Sequence, residues 1–361
     1  MKKVLFFAAA IAALTVLSCN KNDVVTPADS HKCQVTVTIR GEKDEVETKT
    51  TGNIGSNETK VNNLQVFAFN GDNLEDYVST NNSLTAVLAA TTGSREIWCI
   101  VNAPSLSTIR SKTALQATTS MLADNAVDNF VMIGSTTHEL SSANNESNPI
   151  AVTVKRVVSR VSLQQISTDF KLTMENAYFE VQKIYLINVV GSQLYSIGGT
   201  GAWVASPTTW LNQLGYTASG ADALIYDVVT STTVRNSQPA TLQHDFYPYP
   251  NAIGQARTAE TANSPMANGT NVYSASWAPR QTMLVIEGLF HESAADVTGT
   301  LGYYPVDLPA MERNKTYVIE NIQLTRRPSA NPYEPIMTGQ SYVTISVHGW
   351  ETGLSLGTIQ C

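Results

Sequence analysis

The chain has no C-x-x-C pair, and its four cysteines, Cys19, Cys33, Cys99 and Cys361, stand far apart. Paired-cysteine metal sites are thereby excluded. Histidine is scarce, with five in the whole chain and none close to another. His291-Glu292 opens like a zinc-protease helix, but Ala295 stands where the second ligand is needed, and His138-Glu139 fails in the same way at Ser142. Gly198-Gly199-Thr200-Gly201 runs into Ala202-Trp203, with no lysine to meet a phosphate. A G-x-S-x-G elbow is also missing. No basic block offers an electrostatic footprint for nucleic acid. These absences point away from an enzyme: no catalytic residue, metal ligand or cofactor is expected. Charged residues make up only 15% of the chain, while Thr, Ser and Asn are abundant, which suits sheets with polar outward faces.

What is present begins at the N-terminus. Met1-Lys2-Lys3 is a short basic region, and Val4 to Val16 is apolar apart from Thr15. That run is shorter than the ~20 residues a spanning helix needs and fits the core of a secretory signal. Val16-Leu17-Ser18-Cys19 then places a cysteine directly after a small residue, as in a lipoprotein signal. Residues 1–18 are expected to be removed, with Cys19 lipidated and tethering the chain to a membrane. Removal takes away Lys2 and Lys3, so the formal charge moves from −7 to −9.

Further along, the signal is β-sheet. From Cys33 to Arg40, the residues Cys33, Val35, Val37 and Ile39 alternate with Gln34, Thr36, Thr38 and Arg40, the period of a half-buried strand. Gly41 to Lys60 is polar and aperiodic, an expected exposed loop. Leu64, Val66 and Ala68 share a face of a strand that ends at Asn70-Gly71, and Glu96 to Asn102 is another strand. Residues 105–125 leave room for a short helix, Phe130 to Ile133 reads as a short strand, and Ser141 to Pro149 is a break. Ile150 to Ile166 is long and β-branched, with Lys155, Arg156 and Arg160 in its middle. Tyr178–Val190, Met283–Phe290, Thr316–Leu324 and Tyr342–Val347 are further expected strands. Residues 198–281, rich in Gly, Ser, Asn and Pro, read as a surface-exposed insertion. Strands recur without alternating helices, so the expected class is an all-β sandwich. Cys33 and Cys99 lie in strand-like runs, where a small buried hydrophobe is expected.

Several blocks, taken in order, resemble the major fimbrillins, subunits of the type V pili of Bacteroidales. They are Lys60-Val61-Asn62-Asn63-Leu64-Gln65-Val66-Phe67-Ala68-Phe69-Asn70-Gly71, then Ile97-Trp98-Cys99-Ile100-Val101-Asn102-Ala103. The basic crossing segment Val154-Lys155-Arg156-Val157-Val158-Ser159-Arg160-Val161 follows. Last come Glu312-Arg313-Asn314-Lys315-Thr316-Tyr317 and Val343-Thr344-Ile345-Ser346-Val347 with Trp350. The insertion at 198–281 has no counterpart in the resemblance.

The resemblance implies two tandem Greek-key, transthyretin-like β-sandwiches after the signal. Residues 19–49 would hold the tether, a removable first strand and a cleavage loop, 50–157 the first sandwich and 158–361 the second with a polymerising tail. It implies an outer-membrane lipoprotein precursor, cut by a trypsin-like arginine- or lysine-specific protease and then built into an extracellular fimbrium that serves adhesion. The departing strand would carry Val35, Val37 and Ile39, and its slot would be filled by the C-terminal tail of another subunit through Leu354, Leu356 and Ile359. Fimbrillins carry arginine at the cut; here the matching position is Lys49, with Arg40 and Lys43 as the next candidates. Partners would be further copies of the chain and accessory tip and anchor subunits. Two other classes remain open. One is a non-polymerising lipoprotein adhesin. The other is a glycan-binding module using Trp203, Trp210 and Trp277.

Overall fold

In the computed structural model, the described residues are 32–41, 58–196, 202–203, 209–212, 222–253, 281–333, 341–350 and 355–356. They form an all-β sandwich fold. In chain order the first strands are β1 (Lys32–Gly41), the short β2 (Lys60–Val61), β3 (Asn63–Asn70), β4 (Asn73–Asn81), β5 (Thr85–Thr91) and β6 (Gly93–Val101). Helix α1 (Lys112–Ala117) and β7 (Thr119–Met121) precede β8 (Met132–Leu140) and β9 (Ile150–Arg156). Next come β10 (Arg160–Thr168), β11 (Tyr178–Ile187), and the short pieces β12 (Val189–Val190), β13 (Ser192–Leu194), β14 (Ala202–Trp203) and β15 (Trp210–Leu211). Helix α2 (Asp222–Ile225) leads into β16 (Tyr226–Arg235) and β17 (Ala240–Phe246). The last strands are β18 (Met283–His291), β19 (Thr300–Asp307), β20 (Lys315–Leu324), β21 (Ser341–Gly349) and β22 (Ser355–Leu356).

The first seven long strands make one sheet in the order β4-β3-β6-β8-β9-β1-β5. It curls, so that β4 and β5, joined by a short turn at Asn82, also meet at the two ends of the sheet. Asp76 of β4 accepts the Ala89 N–H at 2.6 Å and Glu75 accepts the Thr91 N–H at 3.0 Å, covering part of the β5 edge. The inward face of this curl is a closed core of Val35, Val37, Ile39, Val66, Leu88, Cys99, Met132 and Val152 with their neighbours. The other face, with Phe67, Phe69, Trp98 and Ile100, belongs to a second core that runs on into the C-terminal half. There two four-stranded sheets, β17-β10-β20-β21 and β16-β11-β18-β19, face each other.

The strands with clean alternation stand where the sequence puts them: Cys33–Arg40 within β1, Leu64 to Ala68 within β3, and the Met283, Thr316 and Tyr342 runs within β18, β20 and β21. Two expectations are corrected. The Phe130–Ile133 strand starts at Met132 and continues to Leu140, because its second half is polar Gly-Ser-Thr-Thr-His-Glu, whose pairing with β6 carries no apolar signature. The long β-branched run from Ile150 to Ile166 forms β9 and the start of β10, with the crossing at Val157–Ser159, where the chain passes from the first sheet to the second. The 198–281 segment is not wholly a surface insertion. It supplies β16 and β17, one strand to each C-terminal sheet, and buries Trp210, Tyr247 and Tyr249. The buried Trp210 is thereby lost to any aromatic glycan platform, while Trp277 lies outside the described residues.

Candidate functional site

β1 is an inner strand. It pairs antiparallel with β5 from Lys32↔Thr91 to Thr38↔Thr85, and parallel with β9 from Val37↔Ile150 to Gly41↔Val154. The reason lies in its pattern: alternate β-branched residues fit a pleated surface with one buried face. Val35 and Val37 are fully buried and Ile39 is 4% exposed. Thr36, expected to face outward, is buried too, since the turn after β8 folds over it and the Asn144 carbonyl accepts the Thr36 N–H at 2.8 Å. Half-buried Cys33 sets its thiol against the Ala90 carbonyl, while Cys99 is fully buried and its thiol is pushed far up by burial.

What distinguishes β1 is connectivity. The next described residue after Gly41 is Glu58, so a single cut in the intervening segment separates β1 from everything C-terminal to it. Loss of an inner strand would leave β5 and β9 with unpaired backbone groups along an apolar slot, a ready template for another strand.

Directly after that segment lies a buried polar hub. Glu58 is 2% exposed. Its carboxylate accepts the Tyr247 hydroxyl at 2.7 Å and the Trp350 indole N–H at 3.2 Å, and lies 3.9 Å from the Arg160 guanidinium. Its backbone carbonyl accepts from Arg156 Nε and Nη2 at 3.2 and 2.9 Å. Arg156 in turn sits over the Trp350 ring at 4.2 Å, and Arg160 reaches Asp245 at 2.8 Å. Burial pulls the Arg156 pKa down to about 10, against the opposing pull of Glu58, so the guanidinium stays charged at neutral pH. Burial also works against the charge on Arg160, but Asp245 and Glu58 prevail and raise its pKa. Burial and the Glu58 charge push the Tyr247 hydroxyl far up, which keeps it a donor. The hub therefore joins four distant segments: the residues just after the 42–57 stretch, the β9–β10 crossing, the end of β17 with Asp245 and Tyr247, and Trp350 just after β21.

The sequence pointed at two of the six side chains of this hub. Two arginines within a β-branched run must be paired if buried, and that signal was there in Arg156 and Arg160. Glu58, Tyr247 and Trp350 gave none, because their meeting is a matter of tertiary contact between residues up to 292 positions apart.

The other expected site residues fall as follows. Cys19, Lys43, Lys49, Leu354 and Ile359 lie outside the described residues. Arg40 has an exposed side chain bonded to Thr153, but its backbone is held in the ladder with β9, which withholds it from a protease cleft. Leu356 belongs to β22, whose backbone runs parallel to β2 with Val61↔Leu356 in register. Among the described residues, no group of three His, Cys, Asp or Glu is placed to hold a metal ion.

No family model matches the chain. Solved structures do resemble it in fold. A protein from Parabacteroides distasonis assigned to cell adhesion matches with a TM-score of 0.63 at 17% identity, covering 90% of this chain and 98% of that one. A cell-adhesion counterpart from Bacteroides eggerthii gives 0.61 at 17% identity, covering 90% and 97%. A fimbrilin from Porphyromonas gingivalis gives 0.59 at 15% identity, covering 89% and 98%. The fold is thus shared over nearly the whole of each chain.

Proposed function

We propose that this chain, which has the fold of a fimbrilin, is a structural subunit of a cell-surface pilus activated by loss of its first strand. The observation that carries the reading is β1: its apolar face is buried, it is paired on both edges, and it is joined to the strands that follow only through residues 42–57. In this reading the chain is exported and lipidated at Cys19. An arginine- or lysine-specific protease cuts after Lys49. β1 leaves with the lipid, and a strand from the C-terminal region of another copy fills the slot. Each of the three apolar side chains restored to the slot contributes about 1.5–3 kcal/mol, and each ladder hydrogen bond roughly 0.5–1.5 kcal/mol. Ordering the incoming strand offsets part of this, and the surplus accounts for a durable polymer. The subunit is structural and its assembly needs no cofactor.

Limited trypsin treatment followed by sizing tests the reading. Trimmed protein is expected to form ladders of multimers whose subunits start at Thr50. Polymers whose subunits still begin at Cys19 would rule out activation by strand removal. Replacing Cys19 with Ser is expected to detach the precursor from membranes; unchanged attachment would refute lipidation there.

A further inference from the structure

Far from the Glu58 hub, three connections meet at one end of the C-terminal sheets. They are residues 169–177 between β10 and β11, 236–239 between β16 and β17, and 292–299 between β18 and β19. β11 starts at this end, with Tyr178 paired to Arg235 of β16 on one side and to His291 of β18 on the other. Together the three connections enclose an open cleft of about 440 Å3, a volume within the ~300–1,000 Å3 range of small-molecule sites.

The walls are fastened without a ligand. The Asn236 side chain accepts the Phe170 N–H at 2.9 Å and donates to the Phe170 and Glu175 carbonyls at 2.8 and 3.3 Å. That ties the β16–β17 turn to the β10–β11 connection. In the third wall, Asp296 accepts the Glu292 and Gly299 N–H groups at 3.2 and 3.0 Å. Arg235 is held by stacking. Its guanidinium lies over the Tyr178 ring at 3.9 Å, and the His291 ring stacks on Tyr178 at 4.3 Å. His291 Nδ1 donates to the Asp296 carbonyl at 2.6 Å, which anchors the column to the third wall.

Arg156 and Arg160 of the hub are occupied by carbonyl and carboxylate partners. Arg235 differs: among the described residues its guanidinium has no hydrogen bond or ion pair. Glu180, on the adjacent strand, is engaged by Ser231 and lies 3.6 Å from His291. Glu175, Asn176 and Gln238 also line the cleft, are exposed, and make no side-chain hydrogen bond among the described residues. A guanidinium only donates, a carboxylate only accepts, and the two amides do both. The lining carries one charge of each sign, so it matches a ligand without net charge. That ligand must offer several closely spaced groups that both donate and accept, which is the chemistry of sugar hydroxyls. A phosphate would meet Glu175 in the wall. A peptide would find only alanines, Ala177, Ala294 and Ala295, where a side-chain pocket is needed.

We propose that this cleft binds an uncharged sugar residue, a hexose or an N-acetylhexosamine, at the end of a surface glycan. Arg235 donates to ligand oxygens, Glu175 accepts from hydroxyls, and Asn176 and Gln238 complete the polar ring. With Tyr178 covered by Arg235 and His291, recognition is by hydrogen bonds and not by stacking. The site is separate from Trp203 and Trp210, and it gives the subunit a ligand of its own. A subunit repeated along a polymer presents the cleft many times, so single weak contacts add up.

The test uses the untrimmed full-length chain, so its outcome does not depend on polymerisation. Lactose, methyl mannoside, N-acetylglucosamine and the anionic 3′-sialyllactose are titrated and followed by NMR. At least one of the three neutral sugars is expected to bind and to shift backbone signals of residues 175–177, 235–238 and 293–295. Arg235→Met keeps an unbranched stem over Tyr178 and is expected to weaken that binding at least about tenfold. Gln238→Ala removes an exposed amide without a partner. It is expected to leave the melting temperature within about 2 °C of wild type and to weaken binding about two- to tenfold. Failure of all three neutral sugars to bind, or shifts confined to other residues, would overturn the proposal. Unchanged affinity in both variants would remove the cleft from the binding. Tighter binding of 3′-sialyllactose than of lactose would overturn the uncharged ligand.

Discussion

β1 and β20 occupy equivalent places in the two halves of the molecule. Each is an inner strand with one parallel and one antiparallel neighbour: β9 and β5 for β1, β10 and β21 for β20. β9 and β10 are consecutive in the chain, so the crossing at Val157–Ser159 hands one parallel pairing to each half. Both strands are buried to a similar degree, with Val37 and Ile319 each fully enclosed. Their tethers differ. β20 is held covalently on both sides by strands of its own half, whereas one cut between residues 42 and 57 frees β1. Burial and hydrogen bonding thus say how costly a strand is to lose; connectivity says which strand can be lost at all.

The strongest way to break this comparison is a charge at the centre of each strand. Val37→Asp and Ile319→Asp are both expected to destabilise the untrimmed chain by about 4 kcal/mol or more, because each buries an unpaired carboxylate. The expected difference comes after proteolysis. A Val37→Asp chain that survives trimming should yield a product indistinguishable from wild type, since the altered strand has left, while the Ile319→Asp defect should persist. Melting curves before and after trimming read both. A persistent Val37→Asp defect would mean that β1 stays bound.

Next in size is the hub that fastens both halves to the residues following the cut. Glu58→Ala removes the acceptor for Tyr247 and Trp350 and the countercharge beside Arg160. It is expected to cost about 3 kcal/mol in denaturant melts. The loss is expected in trimmed and untrimmed chains alike, because Glu58 stays on the retained side.

A smaller effect separates the sheets at their closest strand contacts. A Cβ on Gly134 would lie 2.0 Å from the Thr153 carbonyl, and one on Gly288 would lie 2.1 Å from that of Glu180. Gly134→Ala and Gly288→Ala are each expected to cost about 1–3 kcal/mol by forcing strands apart. Removal of β1 frees the far edge of β9 to shift, so the Gly134→Ala penalty should shrink on trimming and the Gly288→Ala penalty should not. Paired denaturant melts check this.

The smallest effect is a dependence on pH at the β4–β5 closure. Burial works against the ionisation of Glu75, but Arg95, Thr91 and Asn70 prevail and hold its carboxyl below the usual 4.5. A folded value lower than the unfolded one contributes stability above about pH 4.5 that fades as pH falls through the folded value. Glu75→Gln is expected to flatten the decline in melting temperature between about pH 5 and 3, by well under ~1 kcal/mol. An unchanged slope would remove Glu75 from the closure.

Legibility in the sequence followed the pattern of apolar residues. β1 could be read because it buries one face and leaves the other largely polar, and β3, β6 and β18 because nearly continuous apolar runs bury both faces. β4, β5, β16, β17 and β19 could not. In β5 the buried residues are Ala86, Leu88 and Ala90, two of them too small to stand out, with exposed Val87 between. β16 exposes most of its length, and Val228 is 67% exposed, so its pairing rests on backbone bonds that leave no compositional trace. Of the site, the apolar face of β1 was legible, and so was the need of Arg156 and Arg160 for partners. The identity of those partners was not.

By itself the sequence determined the all-β class and the inward face of β1, because a two-residue period is a local property of the chain. Only the tertiary structure decided that β1 is an inner strand, that β21 is an end strand, and that Glu58 binds Trp350. Those are facts of which segments become neighbours. Neighbours are chosen by the closing of two cores over residues far apart in the chain, which no local pattern records.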